Sequence, residues 1–194
     1  MAKKSINLLS ATDPEWVNVI INNFDAFLAD HANCERKASS LAMSMVVRYP
    51  DRPKIITALV ELAQEELEHF GQVYALMEKR GVSLIKDEPD PYVNQLCKLM
   101  RHGRSERFLD QLLVSSIIEC RGAERFRLIA EALKDPELKH FYKVLSGVEA
   151  KHGHVFVDMA LHYFTEEEVY PRLQELAKFE AKIVAKLEWR ASLH

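Results

Sequence analysis

The chain has 194 residues, 48% apolar and 28% charged, with 6 Gly and 7 Pro; it is long enough for one domain with a sizeable core and too poor in turn residues for a β-sandwich. Its net charge of −3 gives no global basic field to draw nucleic acid or an acidic membrane, so a polyanion partner needs a local patch. Three scattered cysteines, Cys34, Cys97 and Cys120, have no Cys-x-x-Cys spacing, which fits reduced thiols in a cytoplasm and excludes a disulfide framework or a thiolate metal site.

The first residues, MAKKSINLLSATDPEW, are basic but lack the apolar core and cleavage site of a signal peptide. Asp13-Pro14 opens a helical pattern, interrupted near Asn23, that runs to about Arg48, because Asp is a good N-cap and Pro is tolerated in a first turn. Asp51 and Pro53 start a second helix, which continues to Arg80 and stops at Gly81, a natural left-handed terminator. VSLIKDEPDP is then a loop, followed by a short helix around residues 92–101 that Gly103 ends.

Ser105 caps a third long helix with Glu106 and Asp110 in its first turns, running to about Lys134, and Asp135-Pro136 opens a fourth to about Phe164. Thr165, before three glutamates, caps a last helix that must absorb or kink at Pro171 and ends near Trp189. No run alternates with period two, and no apolar run approaches the ~20 residues of a membrane-spanning helix. Residues 1–194 therefore read as a single all-α domain, a four-helix bundle with a long crossover between the second and third bundle helices, plus accessory helices.

Three Glu-x-x-His pairs occur, Glu66/His69, Glu137/His140 and Glu149/His152, where about one is expected by chance and an exposed pair merely steadies its helix. Two of them fall mid-helix with apolar residues one turn away on the same side: Leu62, Phe70 and Val73 beside the first, Leu145, Phe156 and Met159 beside the last. An inward carboxylate there demands a cation or a hydrogen-bonded partner. Glu137 lies 12 residues before Glu149, about 120° off the inward face at about 100° per residue, and in a first turn, so that pair reads as solvated surface.

Each inward pair has a lone Glu upstream on the preceding helix, Glu35 in ADHANCERKASS and Glu119 in VSSIIECRGAERF, both on faces made mostly of small residues. Glu35 precedes Glu66 by 31 residues and Glu119 precedes Glu149 by 30. The chain thus reads as two copies of a helix pair, each giving Glu from its first helix and Glu-x-x-His from its second. Four carboxylates and two imidazoles suit two divalent cations, iron or manganese, better than structural zinc, calcium or magnesium. The structural alternative is a buried ion-pair network.

The phrases HANCERKAS, ELAQEELEHF, RFLDQLLVSSIIECRGAERF and GVEAKHGHVF, in this order and spacing from about Trp16 to the last helix, resemble the MiaE family of bacterial tRNA hydroxylases within the ferritin-like di-iron superfamily. The resemblance implies a cytoplasmic non-haem di-iron monooxygenase that uses dioxygen to hydroxylate the isopentenyl group of 2-methylthio-N6-isopentenyladenosine beside the tRNA anticodon. It further implies that Glu35 and His69 ligate one iron, Glu119 and His152 the other, with Glu66 and Glu149 bridging. The chain shows no flavin, haem or thiolate motif, so two electrons must come from a separate reductase. The rival within the superfamily is another dinuclear oxidase or peroxidase: a ferroxidase, a manganese catalase or a peroxide reductase.

Ala38, Ala42, Phe70, Ser115, Phe126 and Phe156 are small or apolar residues near the ligands that line a substrate route or simply pack the core, and His31, one turn before Glu35, either hydrogen-bonds a ligand or relays a proton, or is an ordinary buried histidine. For the anticodon loop, Lys98, Arg101, Arg104 and Arg107 in KLMRHGRSER and Lys139 and Lys143 in KHFYK are the basic candidates. Arg121 and Arg125, close to Glu119, are open between RNA and pairing with carboxylates. The expected assembly is a monomer or weak dimer.

Overall fold

The computed structural model describes residues 7–194; the basic start with Lys3 and Lys4 lies outside them, as do the first six residues of the segment read against a signal peptide. The fold is all-α, with seven α-helices and no strand among the described residues: α1 (Trp16–Asn22), α2 (Phe24–Arg48), α3 (Ile56–Arg80), α4 (Pro91–Cys97), α5 (Arg104–Ala132), α6 (Pro136–Leu161) and α7 (Glu166–Val184). Its class is the ferritin-like helical bundle, with α2/α3 and α5/α6 as two long hairpins, the crossover segment lying between α3 and α5 in the chain, and α1, α4 and α7 as accessories. Among the described residues no helix is long and apolar enough to cross a membrane.

Helix ends follow the punctuation closely. Gly81 closes α3 at φ 70°, in the left-handed region. Asp135 accepts from the backbone N–H groups of Glu137 and Leu138 ahead of Pro136, Asp90 does the same for Tyr92 and Val93 ahead of Pro91, and Thr165 and Glu168 form a reciprocal capping box on α7. Three expectations shift. Gly103 is the N-cap of α5 and Ser105 stands inside its first turn; α6 stops at Leu161; and α7 runs through Pro171 but stops at Val184, because LEWRASLH beyond it supplies no further apolar period.

Two compact units emerge: Asn22–Glu88 with Arg190–Leu193, and Met1–Ile21 with Pro89–Trp189 and His194. In the first, α2 and α3 pack along their lengths as a hairpin, tied at its open end by Arg80 to Asp25 at 2.6 Å and at its middle by the Ser39 hydroxyl donating to the Ala63 carbonyl at 2.7 Å. In the second, α5 and α6 form the hairpin, and α4 and α7 cover it.

The second unit also carries a buried polar network. Arg121, fully buried, donates from Nε to Glu180 Oε1 at 2.8 Å, from Nη1 to Glu124 Oε2 at 2.7 Å and from Nη2 to the carbonyl of Ser10 at 2.8 Å, while the Tyr92 hydroxyl donates to Glu180 Oε1 at 3.1 Å. Thr12 closes the set by donating its N–H and hydroxyl to Glu124 at 2.8 and 2.6 Å. A second network centres on buried Asp110, which accepts from Arg101 on one side and Arg172 of α7 on the other at 2.8 to 3.0 Å.

Candidate metal centre

In the α2/α3 hairpin, Glu35, Glu66 and His69 are all buried and each offers an atom within 4.8 Å of the others. His69 Nδ1 lies 3.4 Å from Glu66 Oε2 and 3.7 Å from Glu35 Oε2. His31 Nε2 is 2.6 Å from Glu35 Oε1, one turn back on α2, and its ring stacks on Phe27. Helical spacing does this: positions three and four apart share a face.

In the α5/α6 hairpin, Glu119, Glu149 and His152 converge in the same way, with one atom of each within 4.8 Å of the others. His152 presents Nδ1 to Glu149 Oε2 at 3.4 Å, the same atoms at the same separation as His69 and Glu66. Glu149 and His152 are buried; Glu119 is half-buried. By contrast Glu137 and His140 are exposed, as their off-face position requires.

These separations sit at the long limit of hydrogen bonding. They match instead the roughly 3 to 3.5 Å between neighbouring ligand atoms around a cation bound at about 2.1 Å. Burial, then the neighbouring Glu66 charge, outweighs the hydrogen bond to His69 and pushes the Glu35 carboxyl up to about 8. A bound cation would reverse that cost. Oxygen-rich sets with one imidazole each fit iron or manganese, so the donor chemistry fits the metals expected from the sequence.

The repeat extends to atoms that the spacing of ligands did not reveal. Ser39, four residues after Glu35, donates to Ala63, three before Glu66; Ser146, three before Glu149, donates to Ala123, four after Glu119, at 2.8 Å. Each hairpin is cross-linked by one serine at the same level beside its ligands, from opposite helices. Close approach in the second hairpin also depends on Gly153, where a Cβ would meet Cys120 Sγ at 2.7 Å and the Ser116 carbonyl at 3.3 Å. The Ser116 hydroxyl donates to the Gly153 carbonyl at 2.7 Å.

Of the expected lining residues, Ala42, Ser115, Phe126 and Phe156 are buried and Ala38 and Phe70 half-buried. Among the basic candidates, Lys98, Arg104, Lys139 and Lys143 are exposed and Arg107 half-buried, while Arg101 is engaged by Asp110 and Glu106. Lys98 to Arg107 cluster at the start of α5, whereas Lys139 and Lys143 lie where α6 begins, beside the end of α5. Along the helix the two groups are about 30 to 40 Å apart at about 1.5 Å per residue. Arg121 and Arg125 are buried in the second unit, Arg121 paired to Glu180 and Glu124 rather than Glu119, and Arg125 over the Trp16 ring at 4.7 Å. Residues Thr12, Tyr92 and Glu180 have no motif that would have marked them in the sequence.

The whole chain, residues 1–194, matches the family model described as tRNA-(MS[2]IO[6]A)-hydroxylase (MiaE). The chain is 31% identical over 183 residues to the tRNA 2-(methylsulfanyl)-N(6)-isopentenyladenosine(37) hydroxylase of Pseudomonas putida, covering 94% of this chain and 89% of that protein. It is 30% identical over 131 residues to the protein of the same name from Salmonella typhimurium, covering 68% of this chain but 48% of that one. Among solved structures it resembles "Protein 43 with aldehyde deformylating oxygenase activity" from Synechococcus, with a TM-score of 0.92 and 36% identity over 97% of this chain and 96% of that chain. With both copies of the Glu and Glu-x-x-His set in place and the family model spanning every residue, the chain belongs to the MiaE family of enzymes, the tRNA hydroxylases.

Proposed function

We propose that this chain is a di-iron monooxygenase that hydroxylates the isopentenyl group of 2-methylthio-N6-isopentenyladenosine next to the tRNA anticodon in the cytoplasm, as a monomer or weak dimer. The observation that carries the reading is the congruence of the two hairpins, His69 Nδ1 with Glu66 and His152 Nδ1 with Glu149 both at 3.4 Å, in a member of a tRNA-hydroxylase family. On this reading the two units work as one domain and the half-sites share one dinuclear centre. Glu35 and His69 would hold one iron and Glu119 and His152 the other, with Glu66 and Glu149 as the shared carboxylates. The irons supply the dioxygen chemistry that an unactivated C–H bond requires and side chains cannot provide, with two electrons from a separate reductase.

The protein's own residues bind, orient and dry the reaction. Buried Phe126 and Phe156, with Ala42, exclude water beside the ligands and offer apolar surface to an isopentenyl tail. Lys98, Arg104 and Arg107 at one end of α5, or Lys139 and Lys143 at the other, contact phosphates of the anticodon loop. Arg101 acts there only through the part of its guanidinium that Asp110 leaves accessible.

The deciding experiment incubates reduced, iron-loaded protein with dioxygen and tRNA carrying the isopentenyl modification, and reads one added oxygen on that nucleoside by mass spectrometry. No added oxygen with a competent reductant present rejects the reading. Glu66→Ala and Glu149→Ala should each lose iron while helical content stays; full iron in both would sink the ligand assignment. A second reading rests on the 36% identity to the protein with aldehyde deformylating oxygenase activity: the same apolar surface would accept an aliphatic aldehyde. Formate released from aldehyde, with no oxygen added to tRNA, would establish that alternative.

A further inference from the structure

The two hairpins differ at one level of the repeat. Four residues before its first ligand the α2/α3 hairpin has His31, hydrogen-bonded to Glu35 at 2.6 Å; at the same place the α5/α6 hairpin has Ser115 before Glu119. Ser115 is 2% exposed and its hydroxyl has no hydrogen-bond partner among the described residues.

That is unusual for a helical serine, which ordinarily bonds a carbonyl of its own helix or a neighbour. The other buried or half-buried serines of the bundle helices obey: Ser44 donates to the Leu41 carbonyl, Ser39 to Ala63, Ser116 to Gly153 and Ser146 to Ala123. A buried hydroxyl left unbonded costs about 1 to 3 kcal/mol. Its helical position puts it on the same side of α5 as Glu119, one turn away.

Two further facts belong to the same hairpin. Glu119 is the one half-buried member of the six expected ligands, the other five being buried. Serine in place of histidine also removes most of a side chain's volume beside that ligand. The α2/α3 half thus has an imidazole bonded to its carboxylate, whereas the α5/α6 half has a smaller side chain with an uncommitted donor.

We propose that Ser115 is the positioning residue for a small exogenous ligand at the metal centre, its hydroxyl donating a hydrogen bond to that ligand on the Glu119 side. This rests on the dinuclear reading above. The ligand class is a small oxygen or nitrogen anion with a lone pair directed at α5, for which azide is the probe. The hydroxyl donates and the anion accepts, a charge-assisted bond.

The test is an azide titration of iron-loaded, oxidised protein followed by absorbance, with iron per chain and melting temperature measured on each sample. Ser115→Ala should weaken azide binding about tenfold while iron content and melting temperature stay near those of the unaltered protein. Ser115→Thr, which restores a hydroxyl, should bind within about threefold of it. Ser146→Ala, which removes a hydroxyl of purely structural use, should leave azide affinity unchanged. Two irons per chain with equal azide affinity in Ser115→Ala overturns the role of Ser115 alone; an unaltered protein that retains no iron overturns the dinuclear reading and this inference with it.

Discussion

His31 Nε2 and Glu35 Oε1 lie 2.6 Å apart, both buried, one turn apart on α2. A carboxylate tied on one oxygen has its other oxygen aimed, and Glu35 Oε2 faces His69 Nδ1 at 3.7 Å. His31→Ala should therefore loosen metal rather than abolish it. We expect retention against a chelator to fall about 10- to 100-fold, as for other residues that orient ligands. Equal retention in the variant would assign His31 to packing on Phe27 alone.

The raised carboxyl of Glu35 has a pH signature in the metal-free protein. Burial lifts it to about 8 from the ordinary 4.5 of a glutamate, so between those values the folded chain holds a proton that the unfolded chain has released. Stability is then fully present below the unfolded value and declines as pH rises through the folded one. Melting temperatures of metal-free protein should fall from pH 5 to pH 8, and Glu35→Gln should flatten that slope. Metal loading should remove it too, because the cation takes the carboxylate form and releases the proton.

Asp110 gives the opposite sign. Burial alone would raise its carboxyl, but hydrogen bonds from Arg172 and Arg101 hold it below the usual range. Its contribution is present at neutral pH and is lost as pH falls through the folded value, in the acid range below about 4. Asp110→Ala should cost about 1 to 3 kcal/mol in urea denaturation at pH 7, since it removes the buried carboxylate that two guanidinium groups share while Glu106 and Glu175 still partner them. A cost under about 0.5 kcal/mol would show the pairing to be no better than a surface ion pair.

Gly153 predicts a coupling between residues that carry no charge. Gly153→Ala drives a methyl against Cys120 Sγ and should destabilise by about 1 to 3 kcal/mol. Cys120→Ala removes the obstacle, so the double variant should recover part of that loss. Strict additivity in the double-mutant cycle would place the strain at the Ser116 carbonyl instead.

Much of this was legible in the chain. Asp-Pro and Gly punctuation located the hairpins to within a few residues, because caps are local chemistry that packing rarely overrides. The meeting of Glu35 with Glu66 and His69, and of Glu119 with Glu149 and His152, was legible because a buried carboxylate is expensive enough that its repetition on an apolar face carries information. Glu180, Tyr92 and Thr12 were not, because their partners lie 59 to 112 residues away and no period in the sequence encodes such a meeting. Ser115 stood out only as a small residue, since an unbonded hydroxyl looks like any other serine until its neighbours are known. Sequence leaves Arg121 open between RNA and carboxylates; the carboxylates that hold it come from α7 and from its own next turn.

The Arg121 network also sets an order of events during synthesis. Arg121 leaves the ribosome on α5 with Glu124 beside it, yet Glu180, which takes the bond from its Nε, is made 59 residues later. Ser10 and Thr12 have by then been waiting for more than half of the chain to appear. The second unit can therefore match this buried guanidinium only once translation is nearly complete, so a nascent chain stalled inside α6 should leave residues 10–12 open to protease while the α2/α3 hairpin is already formed.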